Sequence, residues 1–165
     1  MPNFAANLTM MFNELDLLDR FDAAANAGFK GVEYLFPYDH DRRKLADRMD
    51  DNGVVRVLHN LPAGDWTAGE RGIACLPDRD GEFQEGVGRA IDYATALGCR
   101  QVNCLSGIAP DGAEPDALRR TLVPHLRYAA PRPQEAGSRL LIEPITPRHI
   151  PGVSLRPPHH AHVTI

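Results

Sequence analysis

Leu140-Leu141-Ile142-Glu143-Pro144-Ile145 is an apolar run that carries one carboxylate and is stopped by a proline. Leucine and isoleucine in succession, with no polar alternation, predict a strand covered on both faces, the pattern of parallel strands in α/β proteins. Such a strand has no place for a charge except its end. Pro144 has no N–H to give a ladder, so the strand finishes about there and Glu143 stands at its C-terminal tip. In parallel α/β folds that tip is where chemistry is carried out.

Outward from this strand the chain repeats one plan: a short apolar strand, a polar loop, then a helix with an apolar stripe. Phe4 to Leu8 reads as the first strand, with Asn7 near its end. Glu14 to Ala27 carries Leu15, Leu18, Phe21 and Ala25 at three- and four-residue spacing, a helical stripe closed by Gly28. Val32 to Phe36 is a second strand ended by Pro37, and Lys44 to Asp51 a helix with Asn52-Gly53 as its stop. Val54 to Leu58, rich in valine, leads to His59, Asn60 and Pro62. The loop that follows contains Asp65-Trp66-Thr67-Ala68-Gly69-Glu70-Arg71-Gly72, too polar and glycine-rich for regular structure and too long for an idle connector. Glu82 to Leu97 is a helix stopped at Gly98, Gln101 to Leu105 a fourth strand, Asp116 to Ala130 a fourth helix, and Arg139 to Ile145 the fifth strand.

Regular alternation of strand and helix implies parallel strands joined by right-handed crossovers. A doubly wound sheet calls for a glycine-rich phosphate turn after an early strand, and no G-x-G-x-x-G or Walker motif is present. A barrel instead distributes single polar residues over several strand tips. Asn7, Glu33, Asn60, Asn103 and Glu143 follow that second pattern.

Composition narrows the partners. With 43% hydrophobic and 24% charged residues the chain has the profile of a globular domain, and 18 Lys+Arg against 22 Asp+Glu argue against a nucleic-acid or anionic-membrane partner. No apolar stretch reaches the ~20 residues of a membrane span and the N-terminus lacks signal-peptide features, so a cytoplasmic location is expected. Cys75, Cys99 and Cys104 lack metal-finger spacing and are expected to be free thiols.

Four segments together are distinctive: Phe4-Ala5-Ala6-Asn7-Leu8-Thr9-Met10-Met11-Phe12; Val32-Glu33-Tyr34-Leu35-Phe36-Pro37-Tyr38; Asn60-Leu61-Pro62-Ala63-Gly64-Asp65-Trp66 with Gly69-Glu70-Arg71-Gly72; and Leu141-Ile142-Glu143-Pro144-Ile145. In these segments, and in their order, the chain resembles the hydroxypyruvate isomerase family from its N-terminus to about Gly152. The resemblance implies a xylose-isomerase-like (β/α)8 TIM barrel, here partial, with about the first five βα units. It implies interconversion of hydroxypyruvate and tartronate semialdehyde, or of 2-oxo-tetronates in close relatives. For Glu143 it implies one place in a pair of proton-moving glutamates, and a ligand role toward a divalent metal such as Mg2+.

The chemistry accounts for those residue types. Moving a proton between the carbons of an α-hydroxy carbonyl passes through an enediolate, which needs a carboxylate base, an acid, and donors or a cation to hold its oxygens. Glu143 suits the base. Arg71 suits a bidentate grip on the substrate carboxylate, Trp66 the exclusion of water, and Asn60 and Asn103 hydrogen bonds to substrate hydroxyls. Each has a plainer reading: Arg71 as a loop salt bridge with Glu70 or Asp65, the asparagines as loop ties, and Glu33 as a structural acceptor. His59 and His125 read as packing or surface residues.

The family likeness stops near Gly152. Barrels of this type run to about 250 residues, so the chain is expected to be C-terminally truncated, by an early stop or a frameshift. The other family ligands and the second glutamate have no matching positions; no Asp or Glu follows Glu143. Residues 1–152 are expected to form the incomplete barrel and 153–165, rich in Pro and His, a disordered tail. The expected partner is a small hydroxy-keto acid, with self-association through exposed barrel edges. A non-catalytic remnant of the barrel is the alternative. A DNA-repair phosphodiesterase of the same superfamily ranks below both, because zinc chemistry calls for His at several strand tips.

Overall fold

Residues 3–155 are described by the structure, a computed structural model. Five parallel strands, β1 (Ala5–Asn7), β2 (Gly31–Glu33), β3 (Val55–Asn60), β4 (Gln101–Cys104) and β5 (Arg139–Ile142), lie side by side in sequence order. A doubly wound sheet would reverse direction partway; this unbroken order is that of a barrel wall. The helices α1 (Arg20–Asn26), α2 (Arg42–Asn52), α3 (Asp80–Ala96), α4 (Pro115–Ala129) and the short α5 (Pro131–Glu135) cover one face.

Two apolar groups join the layers. Leu8, Phe21, Val32, Tyr34, Leu45 and Met49 lock β1 and β2 to α1 and α2. Phe83, Val87, Val102, Leu122 and Leu126 do the same for β4, α3 and α4. The helices stop as their glycines predict: Phe29 N–H reaches back to Ala24 O and Val54 N–H to Met49 O, across Gly28 and Gly53 with positive φ. Among the described residues no helix is long and apolar enough to cross a membrane.

Several expected boundaries move. The helix expected from Glu14 begins only with a 3-10 turn at Leu17–Asp19, because Asp16 is extended (φ −65°, ψ 149°). Leu15 consequently stays exposed, and Ala24 rather than Ala25 is buried. α2 starts two residues early because Asp41 caps it, its Oδ1 accepting from Arg43 and Lys44 N–H at 2.8 and 3.2 Å. The fourth helix ends at Ala129 and α5 follows, Pro131 being unable to continue the backbone ladder.

The deciding strand also differs from its sequence reading. Leu140, Leu141 and Ile142 are half-buried rather than covered on both faces, because β5 pairs with β4 alone among the described residues. The segment after it is knitted back: Ile145 N–H donates to Leu155 O at 3.2 Å, Val153 bridges Ile108, and Val153 and Leu155 are buried. Of the tail expected over 153–165, residues 156–165 lie outside the described residues.

Candidate functional site

Parallel register brings the polar strand tips together in pairs. Asn7 is the ladder partner of Glu33, and its Nδ2 donates to Glu33 Oε1 at 2.9 Å. Asn60 is the partner of Asn103, whose Nδ2 donates to Asn60 Oδ1 at 3.0 Å. Leu141 is paired with Asn103, so Glu143, two residues on, returns to the same side; Asn103 Nδ2 donates also to Glu143 Oε2, at 3.3 Å. A register shift between Val32 and Glu33 sets Leu58 rather than Val57 opposite Glu33, which puts Leu58 and Asn60 on the Glu33 side.

These tips open on a cavity of about 600 Å³ lined by Asn7, Glu33, Asn60, Asn103 and Glu143, with Trp66 and Arg71 from the long loop. The loop is built to hold those two. Asp65 Oδ1 accepts from Thr67 and Ala68 N–H at 3.0 and 2.9 Å. Glu70 bonds Arg79, which also binds Glu82. Gly72 packs on the loop after β4 so closely that a Cβ there would lie 2.3 Å from Leu105 O, and its φ is +110°. Only glycine fits.

Arg71 therefore does not make the salt bridge weighed for it. Its guanidinium stacks 3.9 Å over the Trp66 ring, and Nη1 donates to Trp66 O and Glu70 O at 2.9 and 2.7 Å. No protein acceptor is seen for its Nε and Nη2 among the described residues. Trp66 in turn meets Phe36 edge-on at 5.0 Å. Glu143 is exposed and keeps an oxygen beyond its Asn103 bond. Asn103 is buried, and its Oδ1, shielded from solvent, has no partner among the described residues.

All five candidate residues, Glu143, Arg71, Trp66, Asn60 and Asn103, thus reach one cavity. Glu33, read as structural, and Asn7, read only as a strand-end residue, are there as well. So are His149 and Ile150, from a stretch whose prolines masked any pattern; their closeness in sequence to Glu143 was the available signal. His59 and His125, which the sequence leaves as packing or surface residues, are both buried. His59 Nε2 donates to Ala90 O at 3.1 Å, and His125 stacks on Phe83 with Nδ1 2.8 Å from Ala74 O. Cys75, Cys99 and Cys104 are buried free thiols, and burial pushes Cys104 up to about 12.

Glu143 and the unpaired Oδ1 of Asn103 are oxygens of the kind a hard cation takes, but such an ion wants about six ligands. No three His, Cys, Asp or Glu side chains come together among the described residues. Those residues do not by themselves make a metal site.

The family description "Xylose isomerase-like TIM barrel" matches residues 21–159. Hydroxypyruvate isomerase of Escherichia coli (strain K12) is 52% identical over 155 residues, 94% of this chain and 60% of that protein. 2-Oxo-tetronate isomerase of Cupriavidus necator is 46% identical over the same shares. A crystal structure described as AP endonuclease, family 2, from Brucella melitensis superposes with a TM-score of 0.90 at 45% identity, covering 94% of this chain and 60% of that one. The chain thus spans about 60% of the length of these curated relatives.

Proposed function

This chain belongs to the xylose isomerase-like TIM barrel family, and on that premise we propose that its cavity serves the interconversion of hydroxypyruvate and 2-hydroxy-3-oxopropanoate (tartronate semialdehyde). The observation that carries the reading is the Asn60–Asn103–Glu143 chain of hydrogen bonds, which holds a carboxylate at a cavity shared with Arg71.

In this reading Glu143 takes a proton from C3 of hydroxypyruvate. The C3 hydroxyl gives up its proton as the carbonyl oxygen on C2 gains one, and a proton returned to C2 completes an isomerisation with no net change of atoms or electrons. Asn103 holds Glu143 with its Nδ2. Arg71 grips the carboxylate through Nε and Nη2, the edge its backbone bonds leave open. Trp66 fixes the guanidinium plane and keeps water from the intermediate. A divalent cation such as Mg2+ would find one carboxylate ligand, Glu143, and would neutralise enediolate charge; no step above depends on it.

The similarity to 2-oxo-tetronate isomerases favours a second substrate of the same type, one carbon longer. A non-catalytic remnant is the remaining alternative. Buried free thiols suit a reducing, cytoplasmic setting. Glu143→Gln keeps shape and removes the base, so turnover of hydroxypyruvate should fall about a thousandfold. Turnover retained within about threefold, measured beside the parent chain, would remove Glu143 from that role.

A further inference from the structure

The cavity has a second carboxylate that the proton transfer does not use. Glu33 stands at the tip of β2 and Glu143 just beyond β5, three strand spacings away, about 14 Å along the curved wall. Glu33 is held in place: Asn7 Nδ2 donates to its Oε1 at 2.9 Å, while Asn7 Oδ1 accepts the backbone N–H of Thr9 at 3.0 Å. The asparagine amide cannot turn over without losing both bonds. Oε2 of Glu33 has no protein partner among the described residues, and Glu33 lines the cavity.

Resting on the reading of this cavity as a hydroxy-oxo-acid site, we propose that Glu33, oriented by Asn7, sets substrate length: it accepts a hydrogen bond from a hydroxyl on a carbon beyond the reacting pair, so the site prefers four-carbon to three-carbon hydroxy acids. The chemistry of the group narrows what it meets. A carboxylate repels the substrate's own carboxylate, which belongs with Arg71, and accepts strongly from a neutral hydroxyl. A three-carbon acid held at Glu143 leaves the Glu33 end of a cavity of about 600 Å³ to water, and a fourth, hydroxylated carbon extends toward it. A site with a placed acceptor discriminates against the analogue that lacks the donor, because the acceptor is then left unpaired.

The test uses non-reacting acids: calorimetric titration of the chain with glycerate (three carbons) and with 2,3,4-trihydroxybutanoate (four). The parent protein should bind the longer acid about tenfold more tightly or better. In Glu33→Gln that ratio should fall about threefold or more. Asn7 already takes one oxygen, so the amide turns its NH2 to the place where Oε2 accepted, and a neutral contact to the hydroxyl oxygen replaces the charge-assisted bond. Asn7→Ala, which keeps the carboxylate and frees it to swing, should reduce the ratio partway. Equal binding of the two acids by the parent, binding of neither at millimolar concentration, or an unchanged ratio in a folded Glu33→Gln would each overturn the proposal. Neither acid isomerises, so these outcomes stand apart from those of Glu143→Gln: a lost preference with an intact base, or the reverse, separates the two readings.

Discussion

Two groups of polar residues sit on opposite faces of the same sheet, and they live under opposite conditions. On the cavity face, Asn7, Glu33, Asn60, Asn103 and Glu143 bond to one another through register and stay open to a ligand. On the helix face, Arg56 and His59 of β3, with Tyr34 just after β2, are buried. Arg56 lies 3.4 Å over the Tyr34 ring and donates Nη2 to Tyr34 O at 3.2 Å. Its Nε and Nη1, Tyr34 Oη and His59 Nδ1 have no partner among the described residues. Adjacent residues show the split: Asn60 faces the cavity, while His59 turns to the carbonyl of Ala90 in α3. The cavity face leaves groups open where a substrate can complete them, and changes there should alter turnover. The helix face leaves them open where little can, and changes there should alter stability.

The largest expected effect is the loss of turnover in Glu143→Gln, with the unfolding transition nearly unmoved because that side chain is exposed. A large shift in stability would erase the contrast between the faces.

The helix face should declare itself in acid. Burial, helped by the nearby Arg56 charge, pushes the His59 imidazole down to about 3. The unfolded chain binds a proton to this histidine near pH 6.5 while the folded chain does not, so its contribution is present above pH 6.5 and is lost as pH falls toward 3. The decline is about 1.4 kcal/mol per pH unit, or ~3 kcal/mol between pH 6.5 and 4.5. Denaturant unfolding across that range should show it, and His59→Phe should flatten it; an equally steep decline in the variant would assign the effect elsewhere.

Smaller effects sharpen the contrast. Arg71→Lys keeps the charge but loses the stack on Trp66 and the fork, and should raise KM for hydroxypyruvate about tenfold. An unchanged KM would take Arg71 out of substrate binding. Arg56→Met replaces a buried cation that lacks a carboxylate partner, and should leave stability unchanged or raise it by about 1 kcal/mol. A fall of several kcal/mol in the unfolding free energy would show that the Tyr34 stack outweighs desolvation. The chain should also self-associate through the sides of β1 and β5 that have no partner strand among the described residues, an effect that light scattering against concentration measures directly.

Much of the cavity face was legible in the sequence because strand tips have a written signature. An apolar run ended by Asn or Glu and then Pro, as at Leu141-Ile142-Glu143-Pro144, puts that polar side chain at the strand's end before any partner is known. The helix face was not legible. Arg56 and His59 sit inside Val54–Leu58 and its extension, where nothing local tells whether a polar side chain meets water or a helix. The place of Glu33 in the cavity is hidden for a related reason: its bond to Asn7 spans 26 residues and exists only through parallel pairing.

By itself the sequence determined the order of strands and helices, the helix stops at Gly28, Gly53 and Gly98, and the placing of single polar residues at the strand tips. Those follow from backbone dihedrals and side-chain period, which act over a few residues. Tertiary structure alone decided which tips pair, that Arg71 stacks on Trp66 rather than pairing with the Glu70 carboxylate, that Gly72 must lie against Leu105, and that the strand of Leu140 to Ile142 is only half covered. Each of those depends on which distant backbone comes to rest alongside, and register and burial belong to the assembled sheet rather than to any stretch of the chain.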